Sequence, residues 1–248
     1  MRTIMTSKRE DRKGRPRALV TGGAIRLGRA IALGLAAAGM DVAIGYHRSA
    51  AEARATTRAL EAAGARAVAV RADLADPRAA RRLVTTAARA LGGLDILVNS
   101  AARFGRTPLA SVTPAQYDAL LDVNLRAALF CAQAAAEAMP RGGHIVNLGD
   151  VMVDLARPGW VPYTLSKAGI VAMTRGLARE LRPQRIAVNC VAPGAVLKPE
   201  ALSPTRWRRI TRGHAGRPED VVAAVLFFAT CPRYITGQVL RVDGSETA

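Results

Sequence analysis

Seven short runs of β-branched and apolar residues, each separated from the next by a longer alanine-rich or mixed stretch, restrict this chain more than any other feature. The runs fall at 18–22 (ALVTG), 41–46 (DVAIGY), 67–73, 94–100, 144–149, 185–193 and 237–243, with helical patterns near 27–38, 51–63, 77–91, 114–138, 163–182 and 218–230. Strands joined through helices need crossover connections, and crossovers build a parallel sheet covered on both faces. The expected fold is α/β: one doubly wound domain over residues 17–248 with a seven-stranded parallel sheet, helices on both faces and ligands at the carboxyl ends of the strands. No linker, repeat or composition shift divides that span. Residues 1–16 read as a basic, disordered leader without the apolar core of a secretory signal.

Charge is the one extreme quantity, +17 over 248 residues. Clustered Lys and Arg would suggest nucleic acid. Here the arginines are spread through the chain and only 4% of residues are aromatic, so nucleic-acid binding is not expected as the main function. A basic surface equally attracts an acidic small molecule or an acidic carrier protein. The longest apolar run, Val221–Cys231, is about half of what a spanning helix needs, so a cytoplasmic protein without a membrane segment is expected. Cys131, Cys190 and Cys231 are far apart in apolar surroundings, which suits buried thiols and neither disulfides nor a metal site.

The first strand runs directly into TGGAIRLGRA, Thr21–Ala30, and then into a helix. Gly22 allows a sharp turn, Gly28 allows close packing, and the helix amino end suits a pyrophosphate. A glycine loop alone is an ordinary turn; between the first strand and first helix it points to a dinucleotide. The end of the second strand selects which one. An acid there would accept from a ribose 2′-hydroxyl, but this chain has His47, Arg48 and Ser49, which suit a 2′-phosphate. NADPH is the expected cofactor. Asp73 reads as an adenine acceptor or a turn cap, and Asn99 as a loop brace or a cofactor contact.

Tyr163 and Lys167 stand four residues apart, hence on one helix face. An ammonium beside a phenol favours the phenolate, so a lowered tyrosine pKa and a better proton donor are expected. With these residues the chain resembles the short-chain dehydrogenase/reductases over essentially all of 17–248. The matching pieces are the loop Thr21 to Gly28, Asp73-Leu74, Asn99 to Ala102, Asn124 in DVNLRA, Tyr163 with Lys167, Pro193-Gly194 and the closing ITGQVLRVDG. The resemblance implies a Rossmann-type fold and catalysis in which Tyr163 donates a proton, Lys167 binds the nicotinamide ribose and tunes the tyrosine, and Asn124 holds a relay water. It implies cofactor contacts from Gly22, Arg26, Leu27, Gly28, Asp73, Leu74, Asn99, Ala101, Pro193 and Gly194. It also implies a homotetramer built through the helices at 114–138 and 163–182, and a substrate lid near 195–216.

Two departures narrow the resemblance. Most members carry a serine thirteen residues before the tyrosine, where this chain has Asp150, and a glycine where it has Arg26. Both exchanges resemble the pteridine reductases, whose loop reads T-G-x-x-x-R-x-G. In that branch the arginine matching Arg26 contacts cofactor phosphate and pterin, and an aromatic matching Phe104 stacks on the pterin ring. A pterin is reduced at ring C=N bonds, where the neighbouring nitrogen needs a proton that Asp150 and Tyr163 would share. The implied activity is NADPH-dependent reduction of a dihydropterin, dihydrobiopterin or dihydrofolate. Ala102 departs from the branch, which carries a ligand-bonding serine there. The alternative is reduction of a carbonyl such as a 3-oxoacyl thioester on an acidic carrier protein. Asp150 also suits a turn cap, Phe104 lid packing, Trp160 and Trp207 a substrate wall or a subunit contact, and Asp154 the surface.

Overall fold

The computed structural model describes residues 14–199, 202–211 and 213–248. Most of the expected leader, residues 1–13, lies outside these. Within it, Arg15 donates from Nε to the carbonyl of Gly39 and from Nη1 to that of Gly64, both at 2.6 Å. Among the described residues, contacts with the domain therefore include Arg15, two residues before the expected boundary.

The elements run β1 (Arg17–Val20), α1 (Arg26–Ala37), β2 (Asp41–Tyr46), α2 (Ala50–Ala62), β3 (Ala67–Arg71), α3 (Pro77–Leu91), β4 (Ile96–Asn99), α4 (Pro114–Leu121), α5 (Ala127–Ala138), β5 (Gly143–Leu148), α6 (Met152–Leu155), α7 (Val161–Glu180), β6 (Ile186–Pro193), α8 (Pro204–Ile210), α9 (Pro218–Thr230) and β7 (Val239–Val242). The seven strands form one sheet in the order β3-β2-β1-β4-β5-β6-β7, and every neighbouring pair is parallel. Alternation sorts the strand residues into two cores. Ala18, Val20, Val42 and Ile44 pack with α1, α2 and α9, while Leu19, Ala43, Leu97 and Ile145 pack with α3, α5 and α7. Burial on both faces is why these strands read as continuous apolar runs.

The expected strands overran mostly at their carboxyl ends. Thr21-Gly22, Ala72-Asp73 and Ser100 leave the ladder for loops, and those loops make the site. Helix 114–138 is also not regular: between α4 and α5 lies a π turn, Asp122–Arg126. That 25-residue helix is, by length and composition, apolar enough to cross a membrane, which the run-length argument missed. In the fold it buries Leu120, Asn124, Ala128, Cys131 and Ala135 against the rest of the domain.

Candidate active site

The backbone of β5 ends at Leu148, and Gly149 carries the chain into the turn that places Asp150. Asp150 does both things its position suggests. Its Oδ1 accepts from the backbone N–H of Met152 at 2.8 Å, capping the turn, and its Oδ2 accepts from the Tyr163 hydroxyl at 2.5 Å. Tyr163 sits in the first turn of α7, behind Pro162, and is buried. Lys167 lies one turn on, also buried, donating to the Leu148 carbonyl at 2.8 Å with its ammonium 5.9 Å from the tyrosine ring centroid.

This arrangement corrects the expected tyrosine acidity. Burial and then the adjacent Asp150 carboxylate push the Tyr163 phenol well above its usual range. Lys167 does not reverse this, because Asp150 touches the hydroxyl directly while the ammonium stands off at 5.9 Å from the ring centroid. Burial lowers the Lys167 pKa, against the raising effect of Asp150.

Asn124 lies inside the π turn, buried. Its Oδ1 accepts from the Arg103 N–H at 2.7 Å, and its Nδ2 donates to the Arg103 carbonyl and to Ser166 Oγ, both at 3.0 Å. Both amide donors are thus committed, so the side chain clamps the loop that carries Phe104. Phe104 is 55% exposed. Its ring stacks on Trp160 with centroids 4.5 Å apart and meets Tyr163 edge-on at 5.0 Å. Two rings, Phe104 and Trp160, therefore lie against Tyr163 of the Asp150–Tyr163 pair.

At the glycine loop, a Cβ on Gly28 would meet the Gly22 carbonyl oxygen at 2.2 Å, and one on Gly22 would meet the Ala101 Cα at 2.9 Å. Thr21 Oγ1 accepts from the N–H groups of Ser100 and Ala101, joining this loop to the end of β4. Leu27 and Leu74 pack into the two cores. Arg26 adopts φ +51°, a left-handed conformation that explains why glycine is common there, and donates to the carbonyl of Lys198 at 3.1 Å. His47, Arg48 and Ser49 lead into α2, where Ser49 is the N-cap residue and makes no side-chain capping bond. Asp73 accepts from the Ala75 N–H at 3.1 Å and faces His47 Nε2 at 3.6 Å, so it caps its turn. Asn99 donates to the Ala128 carbonyl and to Asn147 Oδ1, which makes it a brace. The Pro193 carbonyl accepts from Val151, and Gly194 packs on Asp243. In the segment 195–216, where a lid is expected, α8 carries Trp207; Glu200, Ala201 and Arg212 lie outside the described residues.

The profile of a family described as enoyl-(acyl carrier protein) reductase matches residues 23–245. A solved short-chain dehydrogenase from Burkholderia cenocepacia J2315, in complex with NADP, superposes with a TM-score of 0.89 at 42% identity, covering 94% of this chain and 98% of that one. The chain belongs to the short-chain dehydrogenase/reductase superfamily. A blue fluorescent protein from a metagenomic library, solved with NADPH, is 38% identical with a TM-score of 0.88, covering 94% of this chain and 98% of its own. The 3-oxoacyl-[acyl-carrier-protein] reductase of Synechocystis sp. is 34% identical over 234 residues, covering 92% of this chain and 95% of that protein.

As a superfamily member the chain also holds features that motif reading passed over. Ser166 joins the Asn124 amide to the Tyr163 carbonyl. Two ion pairs, Arg157–Glu246 at 2.5 Å and Arg241–Asp154 at 2.8 Å, fasten the loop from Asp150 to Trp160 to the end of the chain. Asp154 is thus a surface residue with a task. These pairs join residues nearly ninety positions apart, and no local spacing marks them.

Proposed function

We propose that this protein is an NADPH-dependent reductase acting on a ring C=N of a pteridine-class heterocycle, such as a dihydropterin or dihydrofolate. The observation that carries this reading is the 2.5 Å bond between Tyr163 and the carboxylate that replaces the usual serine. A ketone oxygen is too weakly basic to be protonated before hydride arrives and would develop negative charge against the Asp150 carboxylate, which is unfavourable. A ring nitrogen is basic enough to be protonated first and would not.

The residues present suit NADPH. The loop is bare backbone at Gly22 and Gly28, where a side chain has no room. Arg48 is exposed and, among the described residues, has no carboxylate partner, while the Ser49 hydroxyl is not used as a cap. Arg48 and Ser49 would hold the 2′-phosphate. Lys167 spends one of its three donors on Leu148 and keeps two for ribose hydroxyls. The cofactor supplies a hydride. Tyr163 passes its proton to the substrate nitrogen, and Asp150, which accepts the hydrogen bond of that hydroxyl, relays a replacement proton from solvent in concert, so that phenol and carboxylate are restored. Phe104 and Trp160 flank the ring, with Arg26 reaching from the cofactor loop.

The curated relative from Synechocystis and the basic surface favour a second reading, reduction of a 3-oxoacyl thioester on an acidic carrier protein. NADPH oxidation with 7,8-dihydrobiopterin and with an acetoacetyl thioester, for the native protein and Asp150→Ser, separates the two. Pterin turnover that collapses in the variant supports the pteridine reading. Thioester turnover with an inert pterin, or undiminished by the exchange, rejects it. Self-association through the helices 114–138 and 161–180 completes the proposal, supported by the exposed Leu129, Val161 and Leu165.

A further inference from the structure

The opposite end of the sheet holds a cleft of about 580 Å³ that the reductase reading does not use, lined by His144, Arg182, Arg185, Arg233, Tyr234 and the turn at Thr230–Pro232. His144 lies near the start of β5 and Arg185 just before β6, at the amino ends of strands whose carboxyl ends lead to Asp150 and Gly194. The cleft is therefore separate from the cofactor loop by the length of the sheet.

Some arginines elsewhere are paired with acids, among them Arg17 with Asp95, Arg81 with Glu137, Arg82 with Asp76 and Arg126 with Asp122, while others such as Arg48 are not. The cleft gathers three unpaired ones in one place. Among the described residues, Arg182, Arg185 and Arg233 have no carboxylate partner and make no side-chain hydrogen bond, and no acid lines the cleft. Arginines near helix carboxyl ends are common for dipole reasons alone. Three further observations go beyond that. Arg185 holds φ +60°, where glycine or asparagine would be cheaper by about 1 kcal/mol. His144 Nδ1 is buried with no partner, and burial followed by the charge of Arg233 lowers its pKa, so a neutral imidazole faces the arginines. Tyr234 is 98% exposed, a ring lying in water beside guanidinium groups.

We propose that this cleft binds a nucleotide-class ligand, with phosphate on Arg182, Arg185 and Arg233 and a base stacked on Tyr234. Guanidinium groups match phosphate geometry, an exposed aromatic ring accepts any base face, and the volume suits a mononucleotide.

The test is equilibrium binding of a fluorescent ADP analogue to the full chain saturated with NADP, so that the cofactor loop is blocked. Saturable binding is expected, weakened at least tenfold in Arg185→Gly and in Arg233→Ala and several-fold in Tyr234→Ala. Arg185→Gly relieves the left-handed conformation, so an unchanged or raised melting temperature shows that lost binding is not lost folding. Absence of saturable binding, or binding unchanged in the arginine variants, overturns the site. Inorganic pyrophosphate competing as well as ADP, with Tyr234→Ala unaffected, overturns the nucleotide assignment, as does a strong preference for a single-stranded oligonucleotide.

Discussion

Tyr163 and Asp150 share one short hydrogen bond, and two pH effects follow from it. The first concerns stability. The phenol is held above its usual range by burial and by Asp150, so the folded state grips this proton more tightly than the unfolded chain does. That contribution is complete below about pH 10, the ordinary phenol value, and is lost as pH rises from there toward the folded value. Thermal unfolding at about pH 8 and about pH 11 should therefore show a larger loss for the native protein than for Tyr163→Phe. Equal losses would dissociate the phenol from alkaline unfolding. The second concerns turnover. Reduction consumes a proton that Tyr163 delivers, so the rate should fall about tenfold per unit as pH rises past the raised value of this phenol. Asp150→Asn removes one cause of that rise and should move the limb to lower pH, and a limb that stays in place would mean the titrating group lies elsewhere. Sequence alone pointed to these two residues, since their spacing of thirteen is a family register. It misjudged the acidity of the phenol, because which oxygen faces the hydroxyl is decided by the turn after β5.

The glycine loop between β1 and α1 shows what is legible in an element and what is not. Gly28 could be read from its place in the loop, and the contact with the Gly22 carbonyl gives the reason. The left-handed turn at Arg26 could not, because arginine carries no sign of it. Glycine would relieve about 1 kcal/mol there, so Arg26→Gly should leave the melting temperature within about 3 °C of native while raising the substrate KM. A melting temperature that drops sharply would assign Arg26 to the fold. The buried amides of β4 and β5 behave in the reverse way. Asn99, fully enclosed Asn147 and Thr174 on α7 form one hydrogen-bonded line across the sheet. Asn147→Leu should cost about 1–3 kcal/mol in denaturant unfolding, because Asn99 and Thr174 each lose a partner. A smaller cost would mean the line is replaced by water or repacking. The strand pattern gives Asn147 no role, because its partners come from β4 and α7, far away in the chain.

For the whole molecule the strand count and the parallel, helix-covered sheet follow from the sequence pattern, because helices must alternate with strands that are buried twice. Long-range charge does not follow from it. The formal charge of +17 leaves the chain repelling itself even after its acids are paired. Added salt should therefore raise the melting temperature between about 20 and 300 mM, by screening repulsion more than it weakens the partly exposed ion pairs. A fall would place the balance with the ion pairs. The three cysteines end in keeping with a molecule that makes no use of thiols: all are free and buried, with Cys131 pushed up to about 12 and Cys190 to about 11 by burial. The π turn at Asp122–Arg126 ties the scales together. It is a helix carrying one residue more than a regular turn needs. Deleting that residue would restore a regular rod and leave α4 and α5 close to their present register, yet it would draw Asn124 off the Arg103 backbone it grips. The smallest change in the length of this chain would thus be felt as a lost grip beside Tyr163 rather than as a gap.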